Sequence, residues 1–332
     1  MSEIIRGAEK ILVFLNTHKP SVINQATVNI IGAFTTKKNV KEQLITSIKD
    51  VEGLESAELL YTKVRDSFAA GAKQVLIFGK KQEDGSENYA ELFNSLANDW
   101  FGTITDEIDI DKVTMMSKEL AARQKMLFWT PAKETEINET FINKMAGITT
   151  QGTAIIISKN QEEADAIVAG YAIPQSPGAI LIANKVMNGG IDGGLSGAEQ
   201  ATIKKAKGSY FARAKGQIIL AEGQTVTGDP IDFIHCLYAL KFRLEEDITA
   251  YLINTPKPSF DDLSPLKTTI LKRTTQFENS GALRAGKTVI TFPPLEEIPD
   301  SDILNGTLTG VRIEVKYRYG TKEINGDIYF AV

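Results

Sequence analysis

The segment "LLYTKVRDSFAAGAKQVLIFG", residues 59–79, leaves the chain little conformational choice. Leu60, Val64 and Phe68 recur at helical spacing, with Leu59 and Tyr61 beside them, which predicts an amphipathic helix. Gly71 suits the C-terminal cap, because a residue without a Cβ takes the conformation that ends a helix. The run "QVLIFG" that follows is apolar without alternation. Such runs belong to strands covered on both faces, as in parallel sheets. Helix, glycine and buried strand together make half of a βαβ unit.

The pattern recurs along the first half of the chain. "ATVNIIGAF" (26–34) reads as a strand and "KEQLITSIKDVEGLE" (41–55) as a short helix. "NYAELFNSLANDWF" (88–101) places Tyr89, Leu92, Phe93, Leu96 and Trp100 on one helical face. "DKVTMMSKELAARQ" (111–124) predicts a helix, and "KMLFWTP" (125–131) a strand stopped by Pro131. "GTAIIIS" (152–158) reads as a buried strand. "NQEEADAIVAGYA" (160–172) reads as a helix with Asn160 as its N-cap and Glu163 three residues on. Strand and helix alternating this regularly argue for an α/β layered domain over residues 22–187.

The character then changes. A glycine-rich stretch, "NGGIDGGLSG" (188–197), leads to Ser196 and Glu199, spaced as a capping box. Residues 208–229 read as a β-hairpin. Asp229 can cap the longest helix, with Pro230 at its first position and Ile234, Leu237, Leu240, Leu244, Ile248 and Tyr251 as one stripe. A further helix begins at Ser264 and Pro265. In the closing segment, Val311, Ile313, Val315, Tyr317 and Tyr319 alternate with Arg312, Glu314, Lys316 and Arg318, as in a half-buried strand. The expected fold class is α/β: a layered sheet-and-helix core with an α+β C-terminal part and extended terminal strands. The expected division is an N-terminal arm (1–21), the α/β domain (22–187), an α+β part of the core (188–310) and C-terminal strands (311–332).

Composition and motifs remove most chemistry. The 332 residues carry a net charge of −5, so a nucleic-acid partner is not expected. Cys236 stands alone, so no intramolecular disulfide can form, which suits folding in a reducing cytoplasm. The N-terminal apolar run, residues 11–15, is too short for a signal-peptide core or a membrane span. His18, His235 and one cysteine cannot build a structural zinc site. His235 and Cys236 are adjacent, but neighbouring helix residues point about 100° apart, so a thiol–imidazole dyad is not expected. "TDEIDIDK" (105–112) holds four carboxylates without the glycine and distal glutamate of a calcium loop, and reads as a solvated face or turn. The 188–197 loop lacks the Lys-Ser/Thr pair of a P-loop and the spacing of a dinucleotide fingerprint. "KKAKGSYFARAKG" (204–216) mixes cations with Tyr210 and Phe211, a polar face or a protein-binding surface in an acidic chain. No catalytic, cofactor or metal residue is expected.

The order of elements resembles that of contractile tail sheath proteins, the outer polymer of myovirus tails and related injection machines. The segment 59–79 resembles that family's helix–glycine–strand. "KELAARQKMLFWTP" resembles the helix and strand that follow, and "GQTVTGDPIDFIHCLYALKFRLEEDI" its entry into a long helix. "ILKRTTQFENSGAL" is similar to its C-terminal helix, and "DILNGTLTGVRIEVKYRYGTKEINGDIYF" to its closing strands. The resemblance implies a virion or particle structural subunit that needs no active site and is assembled into a virion tail or phage-tail-like particle. It implies a helical homo-oligomer around an inner tail tube, with baseplate and tail terminator as further partners and no membrane insertion. It also implies subunits linked by terminal arms that add strands to a neighbour's sheet. The arm residues would be Ile11, Val13, Leu15, Ile328 and Phe330; Lys241, Arg243, Glu245 and Glu246, read as exposed on the long helix, would face the tube. Two alternatives stay open: a sheath-like terminator or cap, and an α/β small-molecule-binding protein or enzyme using the 188–197 loop.

Overall fold

The computed structural model describes residues 4–7, 10–13, 27–83, 87–255, 259, 260 and 262–321. Two strands open the chain, β1 (Ile4–Gly7) and β2 (Lys10–Val13). The α/β part follows as β3 (Ile30–Thr35), β4 (Val40–Ile45), α1 (Leu59–Ala70), β5 (Gln74–Gly79), α2 (Tyr89–Asn94), β6 (Gly102–Thr105), α3 (Ile110–Ala122), β7 (Met126–Trp129), α4 (Glu139–Gly147), β8 (Thr153–Ile157) and α5 (Ala164–Ala172). Then come α6 (Gly197–Lys205), β9 (Ser209–Ala214), β10 (Gln217–Ala221), α7 (Ile231–Asn254), α8 (Ser264–Asn279), β11 (Val289–Thr291), α9 (Asp300–Leu304) and β12 (Arg312–Val315).

An eight-stranded sheet has the order β10-β9-β8-β7-β6-β3-β5-β4. From β5 through β3 to β9 every neighbouring pair is parallel. β4 and β10 close the two edges antiparallel. Helices cover both faces, which is why the inner strands β3, β5, β7 and β8 are rich in buried apolar residues. Ile31 and Ala33 of β3 and Val75 and Ile77 of β5 join one core with α1, α5, α7 and α8. Ile30, Phe34 and Leu76 join the other with α2, α3, α4 and α6. Full burial of each Val, Leu, Ile or Phe side chain among them contributes about 1.5–3 kcal/mol. β9 and β10 extend the sheet, so residues 187 and 188 lie between strands of one sheet.

The helices α1 and α5 lie close together because Gly170 has no Cβ; one would sit 2.3 Å from the Ser67 carbonyl oxygen. Beside that contact Lys63 is wholly buried. Its Nζ donates to Asp165 Oδ2 at 2.7 Å and to the Thr105 carbonyl at 2.8 Å. Asp165 in turn holds the start of α5: its own N–H donates to Thr130 Oγ1, and its carboxylate accepts from Ala166 N. Burial pushes the Asp165 carboxyl up to about 6, against the pull of the Lys63 ammonium.

Four local expectations change. Residues 41–55 are not a helix: β4 pairs with β5, and a short 3-10 turn follows at Ile48–Asp50. Glu42 accepts from Ala97 N and Asn98 N, and Gln43 brackets Glu52, so these side chains tie the segment into tertiary structure. The helix expected over 88–101 stops at Asn94, and Trp100 and Phe101 lead into β6. α5 starts after Glu163, because Ser158 Oγ accepts from Asn160 N and Gln161 N and holds that stretch in a turn. α7 starts at Ile231 with Pro230 as its cap, one residue later than Asp229 and Pro230 suggested. The Ser196–Glu199 capping box forms as its spacing predicts.

Candidate functional site

A second sheet joins the two ends of the chain. Its order is β1-β2-β12-β11, antiparallel throughout. β2 pairs with β12 through Val13↔Ile313, Leu12↔Glu314 and Ile11↔Val315. β12 is anchored on its other side by β11 and beneath by the core, where Ile313 and Val315 have no exposed surface. Tyr317 continues the same face: its hydroxyl donates to Asp232 Oδ2 at 2.6 Å, and burial and that carboxylate both raise its pKa. Phe233 packs edge-on against Tyr317 at 5.0 Å and stacks with Tyr319 at 5.7 Å. The turn after α8 closes the platform, with Arg284 N donating to Lys316 O and Arg318 N to Ala282 O. β11 and β12 are therefore built into the body of the chain.

β2 is held differently. Its described pairing consists of β12 on one side and β1 on the other. An isolated two-stranded hairpin is marginal in water, so β1 and β2 depend on the sheet they join. Removing them would expose the edge of β12, a row of backbone donors and acceptors ready to accept another strand. Of the expected arm residues, Ile11 and Val13 lie on β2. Leu15, Ile328 and Phe330, with the strand expected over 327–332, fall outside the described residues.

The four charged residues expected on an exposed face of α7 are not exposed. Lys241 is buried and lies 3.7 Å from Glu245. Arg243 Nη1 donates to Glu246 at 3.0 Å, both half-buried. Arg273 of α8 grips Asp247 through two 2.7 Å hydrogen bonds, and Asp247 raises its pKa. Burial lowers the pKa of Lys241 and raises that of Glu245. Their charges clamp α7 to itself and to α8, because the helix runs through the core.

At two places where an α/β protein can hold a ligand, the chain's own groups make contacts. The order of strands reverses at β3, between β5 and β6, where ligands of doubly wound sheets bind beyond the carboxyl ends. There Thr35 donates to Asp106, and Lys37 reaches the Asp106 carbonyl at 2.6 Å. The acidic stretch is thus partly built in rather than solvated: Asp106 and Glu107 are buried, Asp109 caps α3, and Asp111 pairs with Lys144. In the 188–197 loop the amides of Gly190, Ile191, Gly193 and Gly194 donate to Met187 O, Gln161 Oε1, Phe211 O and Asp192 Oδ1. Those four amides are turned to the chain's own acceptors and not toward a phosphate. Among the described residues, no group of three or more His, Cys, Asp or Glu is placed to hold a metal ion. His235 and Cys236 are both buried; burial lowers the imidazole to about 3 and raises the thiol. Among the described residues, no helix is long and apolar enough to cross a membrane.

No protein-family model matches the sequence, and no curated protein does. Solved structures do. A chain of the anti-feeding prophage baseplate superposes with a TM-score of 0.69 at 12% identity, over 96% of this chain and 98% of that one. A chain of the PVC sheath complex, an extracellular contractile injection system in its contracted state, gives 0.67 at 14% identity over 96% of each chain. The sheath tail protein from Desulfitobacterium hafniense gives 0.56 at 9% identity, over 84% of this chain and 93% of that one. The fold is that of contractile-injection-system sheath and tail sheath proteins, along nearly the whole chain.

Proposed function

We propose that this protein is the self-assembling subunit of a contractile sheath. Subunits polymerise helically around an inner tail tube, between a baseplate and a tail terminator, and contract to drive the tube through a target cell envelope. The protein is made in the bacterial cytoplasm and assembled into a virion tail or phage-tail-like particle. The division of labour follows the chain: residues 1–21 and 311–332 link subunits, and the two core parts, 22–187 and 188–310, move as a body.

The observation that carries this reading is the pairing of β2, from one end of the chain, with β12, near the other. Residues 14–26 join β2 to the core, and thirteen residues span at most about 45 Å when extended. The hairpin can therefore add to the β12 of a neighbouring copy with the same register and the same backbone hydrogen bonds. Exchange of an identical element is a low-cost route to assembly. Strands held by backbone bonds keep copies linked while the bodies between them rotate. Ile11, Val13 and Leu15 would serve as the N-terminal arm, with Ile328 and Phe330 as its C-terminal counterpart.

The register supplies the test. Leu12 and Glu314 are directly opposed, which in an antiparallel pair places their Cα atoms roughly 4.5–5.5 Å apart, within disulfide reach. Leu12→Cys/Glu314→Cys, oxidised after assembly, should run on a non-reducing gel as a ladder of covalent multimers. The buried Cys236 stays silent. Closure confined to single chains in assembled material would refute arm exchange.

A further inference from the structure

The eight-stranded sheet ends in edges of opposite charge. At the β10 edge, residues 204–222 carry Lys204, Lys205, Lys207, Arg213 and Lys215 against Glu222 alone, a net of +4. Lys204 pairs with Glu222 at 3.0 Å, which ties the end of α6 to the end of β10. Lys205, Lys207, Arg213 and Lys215 are exposed and make no ion pair with any described residue. At the β4 edge, residues 46–58 carry Asp50, Glu52, Glu55 and Glu58 against Lys49, a net of −3. Glu58 pairs with Lys38, whereas Asp50, Glu52 and Glu55 are exposed and without ion pairs among the described residues. Exposed Leu44 sits on β4 beside them. Strand order fixes the geometry: β10 and β4 are the two outermost strands. Seven inter-strand steps of about 4.8 Å set them roughly 34 Å apart.

We infer that the basic β9–β10 edge of one copy seats against the acidic β4 edge of the next. This contact is head-to-tail, distinct from the sheet that joins the chain ends, and it rests on the sheath-subunit reading. Two different patches that fit each other but not themselves favour an open array or a ring over a two-fold dimer. Charges placed this way steer encounter and fix register, and salt weakens them. A second copy fits the basic edge better than nucleic acid does. Tyr210 and Phe211, the aromatics within that stretch, are buried in the sheet and offer bases no stacking surface.

The test is assembly by the full chain at 50 and 500 mM NaCl, followed by sedimentation velocity. Lys205→Glu/Lys207→Glu/Arg213→Glu takes one edge from +4 to −2 and Glu52→Lys/Glu55→Lys takes the other from −3 to +1; circular dichroism verifies that these surface variants fold. The concentration at which wild type assembles should rise about tenfold between the two salts, as ion pairs are screened. Each single-edge variant should need at least tenfold more protein at 50 mM, and the variant carrying both reversals should return toward wild type. Single-edge variants that match wild type, or a combined variant no better than either, would overturn the contact while leaving the sheath reading intact. Wild type that never self-associates would overturn both. If a labelled 30-base-pair DNA binds wild type but not Lys205→Glu/Lys207→Glu/Arg213→Glu, and Glu52→Lys/Glu55→Lys assembles normally, the basic edge is a nucleic-acid site and the proposal fails.

Discussion

Replacing Lys63 by methionine should destabilise the core more than any surface change can. Lys63 and Asp165 are fully buried, and the ammonium bridges Asp165 of α5 to the Thr105 carbonyl at the end of β6. Methionine fills a similar volume but leaves the carboxylate without its counter-charge. Breaking a buried pair from one side costs about 3–5 kcal/mol. With a urea m-value of roughly 3 kcal/mol/M, the midpoint should fall by about 1–1.7 M. Trp100 and Trp129 are both buried, so their fluorescence reports the loss of the core. Acid supplies a second readout. The folded pKa of Asp165 is raised from 3.8 to about 6, so the folded state binds the extra proton and this group favours folding more as pH falls from 6 toward 3.8. Removing Lys63 takes away the two largest influences that lower that pKa, so the variant should regain stability at a higher pH than wild type does. Lys63→Met/Asp165→Leu should recover most of the loss, because it removes both charges together. A Lys63→Met midpoint within 0.2 M of wild type near neutral pH would refute this account of the pair.

Two further changes test other parts of the structure. Burial depresses His235 from 6.5 to about 3, so the unfolded chain takes up a proton in that window that the folded chain does not. Wild type should therefore lose roughly 2–3 kcal/mol relative to His235→Leu between pH 7 and pH 4.5, measured as the difference between their urea curves, in which other groups cancel. Equal acid sensitivity in both proteins would contradict a buried neutral imidazole. Tyr317→Phe removes the 2.6 Å donor to Asp232, which should cost about 1–3 kcal/mol and speed amide exchange in β12; unchanged exchange would show that this bond does not anchor the linking sheet.

What was legible in the sequence follows from which elements announce themselves locally. β3, β5, β7 and β8 are buried on both faces, so each appears as an unbroken apolar run. α7 shows its stripe because its second half meets the core along one face, through Leu244 and Ile248, while its first half, Ile231 to Lys241, is buried all round. β4 and β6 were hidden for different reasons. β4 is an edge strand with Lys41, Glu42 and Gln43 in its middle, so its identity rests on pairing with β5. β6 is four residues with two threonines, and the aromatic pair before it, Trp100 and Phe101, continues a helical period by coincidence. The charges of α7 misled because Lys241, Arg243, Glu245 and Glu246 look like a solvated face until α8 and the core are in place. The pairing of β2 with β12 joins residues some 300 positions apart, and no local pattern encodes it.

The central claim is that this chain builds a sheath by exchanging its arms. Negative-stain electron microscopy of the purified full-length chain, beside a version lacking residues 1–13, addresses it directly. The account predicts tubes or stacked rings from the full chain, and folded but dispersed particles from the truncated one, whose β12 has lost the strand it shares. Dispersed particles from the full chain at high concentration, or tubes from the truncated chain, would contradict it.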